Sequence, residues 1–412
     1  MFEQIFNSLD TFELYSSKPP KGPPDDLPTI SDEEMAAVKE RVYGEKSDSN
    51  SYAYDYLEIV DDDYKPKEVP KLRKEDFQKE DIYAIDGSNV RIEHPSFIII
   101  LSRAALVRFT YSCNSLEPQE MFEVLKKDLN GLMLVDGNIF SDKIKLHTHI
   151  EKTNANLLPI INSGISCPIL SSYDPDKEIS LPSSQAIGIG VKYQQALELS
   201  LIQELNCKEH SILIKDGPLF STSGTIADTI EGLNNIYSWK DNVLFGVSKR
   251  ISESTLISQL LTQNKELRDK WFPKQTILQK TIQRIPTDQI LLARILKPGE
   301  RTPFVEAVAR SRKKIVQQDQ MLAPIVTFYL SRKRPHTLIR VEIPKYFWIN
   351  HKDLLLEKLK YVIWQLEIGD NVPKVQSFAD DLCKLDVEYD LTVRQLRARL
   401  FEKKLSFPEV YK

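Results

Sequence analysis

The chain has 412 residues, of which 41% are hydrophobic and 28% are charged, and its formal net charge is −4 at pH 7. This length predicts two domains, or one large domain with insertions, and the hydrophobic content is enough for a sizeable core. The longest apolar run, Phe97–Val107, is interrupted by Arg103 and has about half of the ~20 residues that a membrane helix needs. These properties argue against a membrane-spanning protein.

Cysteine usage bears on the cellular compartment. The four cysteines lie far apart and form no CxxC pair, which disfavours a zinc site and a disulfide framework. The N-terminal sequence MFEQIFNSLD lacks the basic and then apolar order of a signal peptide. A reducing, cytoplasmic location is therefore expected.

Charge is distributed unevenly along the chain. Residues 1–80 are rich in proline, serine and acidic residues and carry a net charge of −9, so we predict a partly ordered acidic extension. Residues 301–340 carry a net charge of +7. Two basic stretches in that region could contact phosphates, although ordinary solvated surfaces are an equally good interpretation. They consist of Arg312, Lys313, Lys314, Arg332, Lys333 and Arg334.

From residue 81 onward, apolar strand patterns alternate with helical patterns. Strands are predicted at 82–86, over 96–111 (one long strand or two that meet at a turn), at 211–214 and at 243–249. Residues 113–185 are predicted to be an irregular insertion. Further patterns predict a hairpin at 327–332 and 337–344, and helices at 190–206, 226–236, 252–263, 352–368 and 389–403. This alternation predicts an α/β fold, a sheet layered with helices, that extends to about residue 385 and is followed by a C-terminal helix and tail.

Two Asp-Gly pairs are candidates for chemistry. Asp86-Gly87 and Asp216-Gly217 each follow an apolar strand pattern. Asp and Gly also end strands simply because they favour turns. Strand ends of one α/β sheet, however, converge on one edge, where such folds place their sites. Two carboxylates there would repel each other unless a cation lay between them, and Mg²⁺ and Mn²⁺ prefer oxygen ligands.

Two further residues join these candidates. Glu198 shares its predicted helix face with Ile202 and Leu205, which should face the sheet, whereas Glu204 points elsewhere and is interpreted as a surface charge. A buried acid is costly unless it is paired or binds a metal, although a half-exposed helix position would explain Glu198 equally well. Lys249 follows the strand 243–249 and could hold a phosphate or neutralise negative charge.

An ordered set of motifs resembles the NurA nuclease family. The motifs are YAIDGS (83–88), LE (197–198), ILIKDGPL (212–219) and FGVSK (245–249), and the resemblance extends over roughly residues 80–385. It implies an RNase H-like core and a Mn²⁺- or Mg²⁺-dependent nuclease acting on single-stranded DNA and DNA ends. It also implies a homodimer that works with a HerA-type hexameric ATPase in double-strand break processing.

One expected site residue differs from the family pattern. The family has a late Tyr-Pro followed by Ala-His, and the matching positions here are Val372-Pro373 and Ala379-Asp380. A carboxylate is a harder ligand than imidazole and suits Mg²⁺ or Mn²⁺, so Asp380 is a candidate fourth ligand, with Asp381 as the alternative. The resemblance thus implies a two-metal site in which Asp86 bridges both ions and Glu198, Asp216 and Asp380 complete the ligand set.

Two other functions are compatible with the same residues. The departures at Val372 and Asp380 would suit a non-catalytic module that binds DNA or docks on an ATPase. An RNase H-like enzyme acting on RNA or on structured junctions is the third possibility. Metal-dependent cleavage of labelled single-stranded DNA, duplex DNA or RNA would distinguish the three.

Overall fold

A computed structural model provides the coordinates of the chain. It describes residues 54–73, 80–94, 97–112, 119–135, 144–147, 180–181, 211–219, 243–249, 254–271, 287–309, 323–334, 337–369 and 372–402, with single residues at 76, 194, 197, 198, 201, 202, 205 and 251. The predicted helix 226–236 and the basic residues Arg312, Lys313 and Lys314 lie outside this part of the chain.

The described strands form one mixed sheet, which confirms the predicted α/β class. The sheet has 13 strands, and its main path runs β1-β11-β12-β13-β9-β8-β3-β4-β5-β6-β7, with β10 and β2 attached beside β12. The strands are β1 (Tyr54–Ile59), β2 (Lys67–Glu68), β3 (Ile82–His94), β4 (Phe97–Ser112), β5 (Gln119–Val135), β6 (Ile144–His147), β7 (Ser180–Leu181), β8 (Ile212–Asp216), β9 (Val243–Ser248), β10 (Glu300–Arg301), β11 (Val305–Ala309), β12 (Pro324–Leu330) and β13 (Leu338–Pro344).

Strand β3 joins the antiparallel part of the sheet to its parallel part. It pairs antiparallel with β4, β4 pairs antiparallel with β5, and on its other side β3 runs parallel to β8, which runs parallel to β9. The pairing of β3 with β8 ends at Ile85↔Lys215, while its pairing with β4 continues to His94↔Phe97. From Asp86 onward β3 therefore has only one strand neighbour and projects beyond the edge at which β8 ends.

Two predictions for this region were wrong. The strand does not end at Gly87-Ser88, because cross-strand pairing to β4 carries it through both residues. Within the predicted irregular insertion, residues 119–135 form the long strand β5, which pairs with β4 along nearly its whole length. Strand β4 is mostly apolar because it is a central strand covered on both faces, and Ile99, Ile100 and Leu101 are fully buried.

Helices cover both faces of the sheet. Leu256 and Leu292, from two of them, pack in one apolar cluster with Phe328, whereas Leu359 and Val375, from two others, pack in a second cluster with strands β3, β4, β8 and β13. The helices are α1 (Leu256–Gln263), α2 (Lys265–Trp271), α3 (Asp288–Ile295), α4 (Lys345–Asn350), α5 (Lys352–Ile368), α6 (Lys374–Cys383) and α7 (Asp386–Glu402). The predicted hairpin and the helices at 252–263, 352–368 and 389–403 are confirmed. No helix in the described part of the chain is both long and apolar enough to cross a bilayer.

The predicted boundary at residue 81 was also wrong, because residues 54–69 belong to the sheet. Strand β1 pairs with β11, and β2 pairs with β10. Between them, Asp61 accepts hydrogen bonds from Arg301 at 2.8 Å, Lys67 at 3.0 Å and the backbone N–H of Phe304 at 3.2 Å. The acidic stretch 61–63 therefore contains a buried structural carboxylate and is not simply part of a solvated tail.

Candidate active site

Asp86 and Asp216 lie side by side on neighbouring parallel strands. Ile85 pairs with Lys215, so the next residue on each strand is an aspartate. Asp216 is the last residue of β8, and Asp86 stands where β3 loses that neighbour. The two carboxylates thus share one position along the sheet edge, as the sequence predicted, although Asp86 reaches it from the middle of a strand.

Asp86 is a buried acid with incomplete hydrogen bonding. Its side-chain Oδ1 accepts a hydrogen bond from the Gly87 N–H at 2.7 Å, whereas Oδ2 is buried and has no donor. Burial, followed by the charges of Asp216, Glu198 and Asp380, raises the pKa of Asp86 to about 9. Burial and the neighbouring acids therefore disfavour the carboxylate form of Asp86, which a nearby positive charge would stabilise.

Asp216 is held by groups from three parts of the chain. Its Oδ1 accepts a hydrogen bond from the Gln376 amide and lies 3.9 Å from the Lys249 Nζ. Burial raises the pKa of Asp216. The positive charges of Lys249 and Lys215 lower it, whereas the negative charges of Glu198 and Asp380 raise it further. The net result is that the pKa of Asp216 lies above its ordinary value. The turn that follows depends on Gly217, whose φ of 75° is in the left-handed region that favours glycine.

Helix α6 brings Asp380 to the same side of the sheet. Ser88 Oγ donates to the Cys383 carbonyl, and Cys383 Sγ donates to the Asp86 carbonyl at 3.1 Å, which fastens the end of α6 to β3. Asp380 is half-buried and interacts electrostatically with both Asp86 and Asp216. Asp381 is exposed and pairs with Lys384 at 2.5 Å, so Asp380 is the better candidate of the two.

Glu198 lies on the opposite face of the sheet. It belongs to a helical segment, here named the Glu198 helix, in which residues 194, 197, 198, 201 and 202 are described as helical. Its Oε2 forms an ion pair with Lys215 Nζ at 2.7 Å, and its Oε1 accepts a hydrogen bond from Gln194 at 2.9 Å. The Glu198 charge raises the pKa of Lys215, although burial alone would lower it.

The alternation of side chains along β3 explains this division. Successive side chains of a strand point to opposite faces. Ser88 contacts α6, whereas Asn89 donates to Gln194 at 2.6 Å, and Gln194 in turn donates to the Gly87 carbonyl at 2.7 Å. A Cβ at Gly87 would lie 2.7 Å from Glu198 Oε1, so glycine lets the Glu198 helix approach the strand.

The structure therefore refines the predicted residue set. Asp86, Asp216 and Asp380 are on the α6 face, with Lys249 beside Asp216, while Glu198 is buried as predicted but is neutralised by Lys215. Lys215, Gln194 and Gln376 were missed. A lysine inside the run ILIKDG was the available signal for Lys215, since a charged residue in a buried strand requires a partner.

One residue of the predicted basic turn is held by the fold and two are exposed. The turn between β12 and β13 lies at the same sheet edge as Asp216, because Arg340 on β13 is opposite Ser248 at the end of β9. Arg332 is held in the fold by the Val69 carbonyl and by Glu68 at 3.7 Å. Lys333 and Arg334 are exposed.

The donor set suits a hard cation that keeps other oxygen ligands. Within the described residues, no three His, Cys, Asp or Glu side chains converge closely enough to enclose an ion. Mg²⁺ is commonly held by only one or two carboxylates, with water and substrate phosphates completing its shell. The buried Asp86 Oδ2, which has no hydrogen-bond donor, and the adjacent Asp216 fit that requirement.

Comparisons with known proteins give one family match. The NurA domain family model matches residues 190–375, and no curated protein matches the chain. The crystal structure of the NurA nuclease from Sulfolobus solfataricus is 12% identical over 100% of both chains, with a TM-score of 0.44. A crystal structure of NurA, and one of NurA bound to dAMP and manganese, are each 12% identical with a TM-score of 0.19; they cover 82% and 83% of this chain and 64% of their own. Scores this low do not establish a shared fold. The family match makes residues 190–375 of this chain similar to a NurA domain.

Proposed function

We propose that this chain is a divalent-metal-dependent DNA nuclease that hydrolyses phosphodiester bonds at the edge formed by Asp86 and Asp216. The observation that carries the proposal is the pair of adjacent carboxylates, buried Asp86 and half-buried Asp216, of which Asp86 lacks a hydrogen-bond donor on its second oxygen. Such a pair needs a cation between its members. The NurA match, which includes Asp216, supports a nuclease.

The strand arrangement supports the RNase H-like core that the resemblance implies. The sheet order β5-β4-β3-β8-β9 joins an antiparallel three-stranded meander to two parallel strands. In this arrangement the first strand of the meander is central and carries Asp86. An acid on that strand and another at the end of its parallel neighbour form the core of the proposed centre.

Each side chain has a proposed role. Asp86 and Asp216 would hold Mn²⁺ or Mg²⁺, with Asp380 as a third carboxylate on the same face. The chemistry supplied by a bound pair of such ions is activation of water and neutralisation of the leaving oxygen. Lys249, whose Nζ lies 3.9 Å from Asp216, would hold the scissile phosphate. The Glu198 charge acts on both Asp86 and Asp216, and we propose that its ion pair with Lys215 positions β8.

The decisive test is Asp86→Asn. Because burial disfavours a charge at Asp86, the isosteric neutral amide should fold equally well. Cleavage of labelled single-stranded DNA with Mn²⁺ or Mg²⁺ should fall by more than about 100-fold, since even outer partners of metal ligands typically contribute 10–100-fold. DNA binding should be retained, and the matched control Asp381→Asn, an exposed acid on α6, should cleave normally.

Each outcome of this experiment has a defined meaning. Cleavage by Asp86→Asn at the wild-type rate, or cleavage by the wild type in EDTA, would contradict the proposed centre. DNA binding with no metal-dependent cleavage of single-stranded DNA, duplex DNA or RNA would favour a binding module. Cleavage confined to RNA would assign the same chemistry to a different substrate.

We also propose a partner and a cellular process for this activity. A cytoplasmic homodimer that acts with a HerA-type hexameric ATPase in double-strand break end processing is what the resemblance implies. Light scattering of the purified protein, alone and mixed with such an ATPase, tests the dimer and the complex independently of cleavage.

A further inference from the structure

A cavity lies between the N-terminal segment and helix α5, apart from the acidic centre. Its volume is about 340 Å³, within the usual range for small-ligand sites. Apolar side chains, among them Leu72, Ile363 and Trp364, line it, and three lysines, Lys71, Lys333 and Lys360, complete the wall. The site thus combines an apolar surface with a cluster of positive charge.

The aromatic member of the cavity is fixed in place. The Trp364 ring packs edge-on against Phe109 at 5.7 Å and Tyr111 at 5.9 Å between centroids. It is half-buried, so part of it remains accessible. A rigid, partly open indole is a suitable stacking partner for a planar base, because little conformational entropy is lost on binding.

The cationic members of the cavity form no ion pair with any residue that the structure describes. Within the described residues, Lys71, Lys333 and Lys360 have no acidic partner. The one carboxylate in the wall, Glu367, already accepts hydrogen bonds from the Tyr329 hydroxyl at 2.5 Å and the Arg332 N–H at 3.0 Å. The lysines are therefore available to an external anion.

The cavity lies beside helix α5, on the face of the sheet that also carries the acidic centre. Lys333 belongs to the β12–β13 turn, which lies at the edge where β8 and β9 end. Helix α5 ends at Ile368, and the chain then enters α6, whose Gln376 contacts Asp216. Helices α5 and α6 thus link the cavity to the acidic centre on one face of the sheet.

We propose that this cavity is an accessory subsite for single-stranded DNA, in which a base stacks on Trp364 and the neighbouring phosphates contact Lys333 and Lys360. The proposal rests on the proposed nuclease function for its substrate class. It adds a binding site that acts on affinity and not on the chemical step.

Binding measurements test the subsite without any cleavage. The probe is a fluorescein-labelled oligothymidylate of roughly 16 nucleotides, the upper site size of single-strand binding folds. Fluorescence anisotropy is recorded in EDTA with the Asp86→Asn protein, at about 0.1 M salt. Lys333→Glu and Lys360→Glu should each raise Kd about five- to tenfold, because each reverses a phosphate contact. Trp364→Leu should raise Kd about tenfold through lost stacking.

The matched control is Lys265→Glu, an exposed lysine on α2, whose helix packs in the cluster that contains Phe328. It makes the same charge change away from the cavity and should alter Kd less than about twofold. Both lysine variants are at accessible positions, so they remain informative if Trp364→Leu proves unstable. An unchanged Kd in both lysine variants, or a loss of affinity no greater than that of Lys265→Glu, would overturn the subsite. The cavity would then be better explained as a site for a protein segment. Cleavage data address the acidic centre separately, so either proposal can fail alone.

Discussion

Lys215 and Glu198 are two charges that the fold buries together. Their side chains are 11% and 3% exposed, and the Nζ–Oε2 distance is 2.7 Å. A buried pair need not add net stability, because desolvation offsets much of the attraction. Removing one partner is different, since the remaining charge stays buried without compensation.

This pair gives the prediction at the residue scale. Glu198→Gln should lower the free energy of unfolding by about 3–5 kcal/mol, because Lys215 is left as a buried unpaired charge. The double variant Glu198→Gln/Lys215→Met should recover much of that loss. Urea unfolding at pH 7 measures both. If the single and double variants lose the same stability, the ion pair is not the reason for the buried lysine.

Sequence patterns located some site residues and could not locate others. Asp216 was predictable because a short apolar strand followed by Asp-Gly specifies a strand end. Gln194 and Gln376 were not predictable, since an amide becomes a site residue only through contacts made by folding, here to Gly87 and Asp216. The sequence could place Glu198 on the inner helix face, but not identify Lys215 as its partner.

At the scale of elements, helix α1 obtains its N-terminal cap from a residue that is distant in sequence. Thr255 precedes the helix but makes no side-chain cap bond. Asp288, at the start of α3, accepts hydrogen bonds from the Ile257 N–H at 2.9 Å, the Ser258 N–H at 3.1 Å and the Ser254 hydroxyl at 2.6 Å. One fully buried carboxyl therefore joins two helices.

Asp288→Ala should destabilise the protein by about 2–3 kcal/mol, which combines the loss of a cap with buried donors left unsatisfied. Thermal and urea unfolding measure the effect. Asp353→Ala is the control, because Asp353 lies in the first turn of α5 but is exposed, and it should change stability by less than about 0.5 kcal/mol. Equal effects in the two variants would show that the position of Asp288 has no special role.

Element boundaries were harder to predict than element types. Gly87 and Ser88 are turn-favouring residues, yet thirteen consecutive residues of β3 pair with β4. Tertiary pairing overrides local preference here. Strand β5 was missed because polar residues such as Lys126, Lys127 and Asp128 interrupt its apolar pattern, and it is the partner β4 that makes it a strand.

At the scale of the whole molecule, the N-terminal segment is tied to residues more than two hundred positions away. Asp61, with a side chain only 2% exposed, pairs with Arg301 at 2.8 Å. Burial alone would raise the pKa of Asp61, but the charge and hydrogen bond of Arg301, with Lys67 and the Phe304 N–H, hold it below its ordinary value. Composition suggested a solvated tail because an isolated acidic run has no visible partner in sequence.

The lowered pKa predicts how stability depends on pH. Stabilisation by the Asp61 carboxylate is fully present above its unfolded pKa of about 3.9 and is lost as pH falls through the lower folded value. The stability difference between wild type and Asp61→Asn should thus be constant from about pH 8 to pH 5 and shrink below about pH 4. Urea unfolding across this range measures it. A difference that stays constant into acid would contradict the assignment, and Asp62→Asn, at an exposed neighbour, is the control.

The register between β3 and β8 determines which side chains of the two strands face α6 and which face the Glu198 helix. On both strands the even-numbered positions 86, 88 and 216 face α6, and the odd-numbered positions 85, 87 and 215 face the Glu198 helix. Inserting a single residue in β8 would reverse that parity, exchange Lys215 with Asp216 and place a cation beside Asp86. Inserting two would preserve it. The acidic centre therefore depends on whether the number of residues inserted in β8 is even or odd, as well as on the identity of its residues.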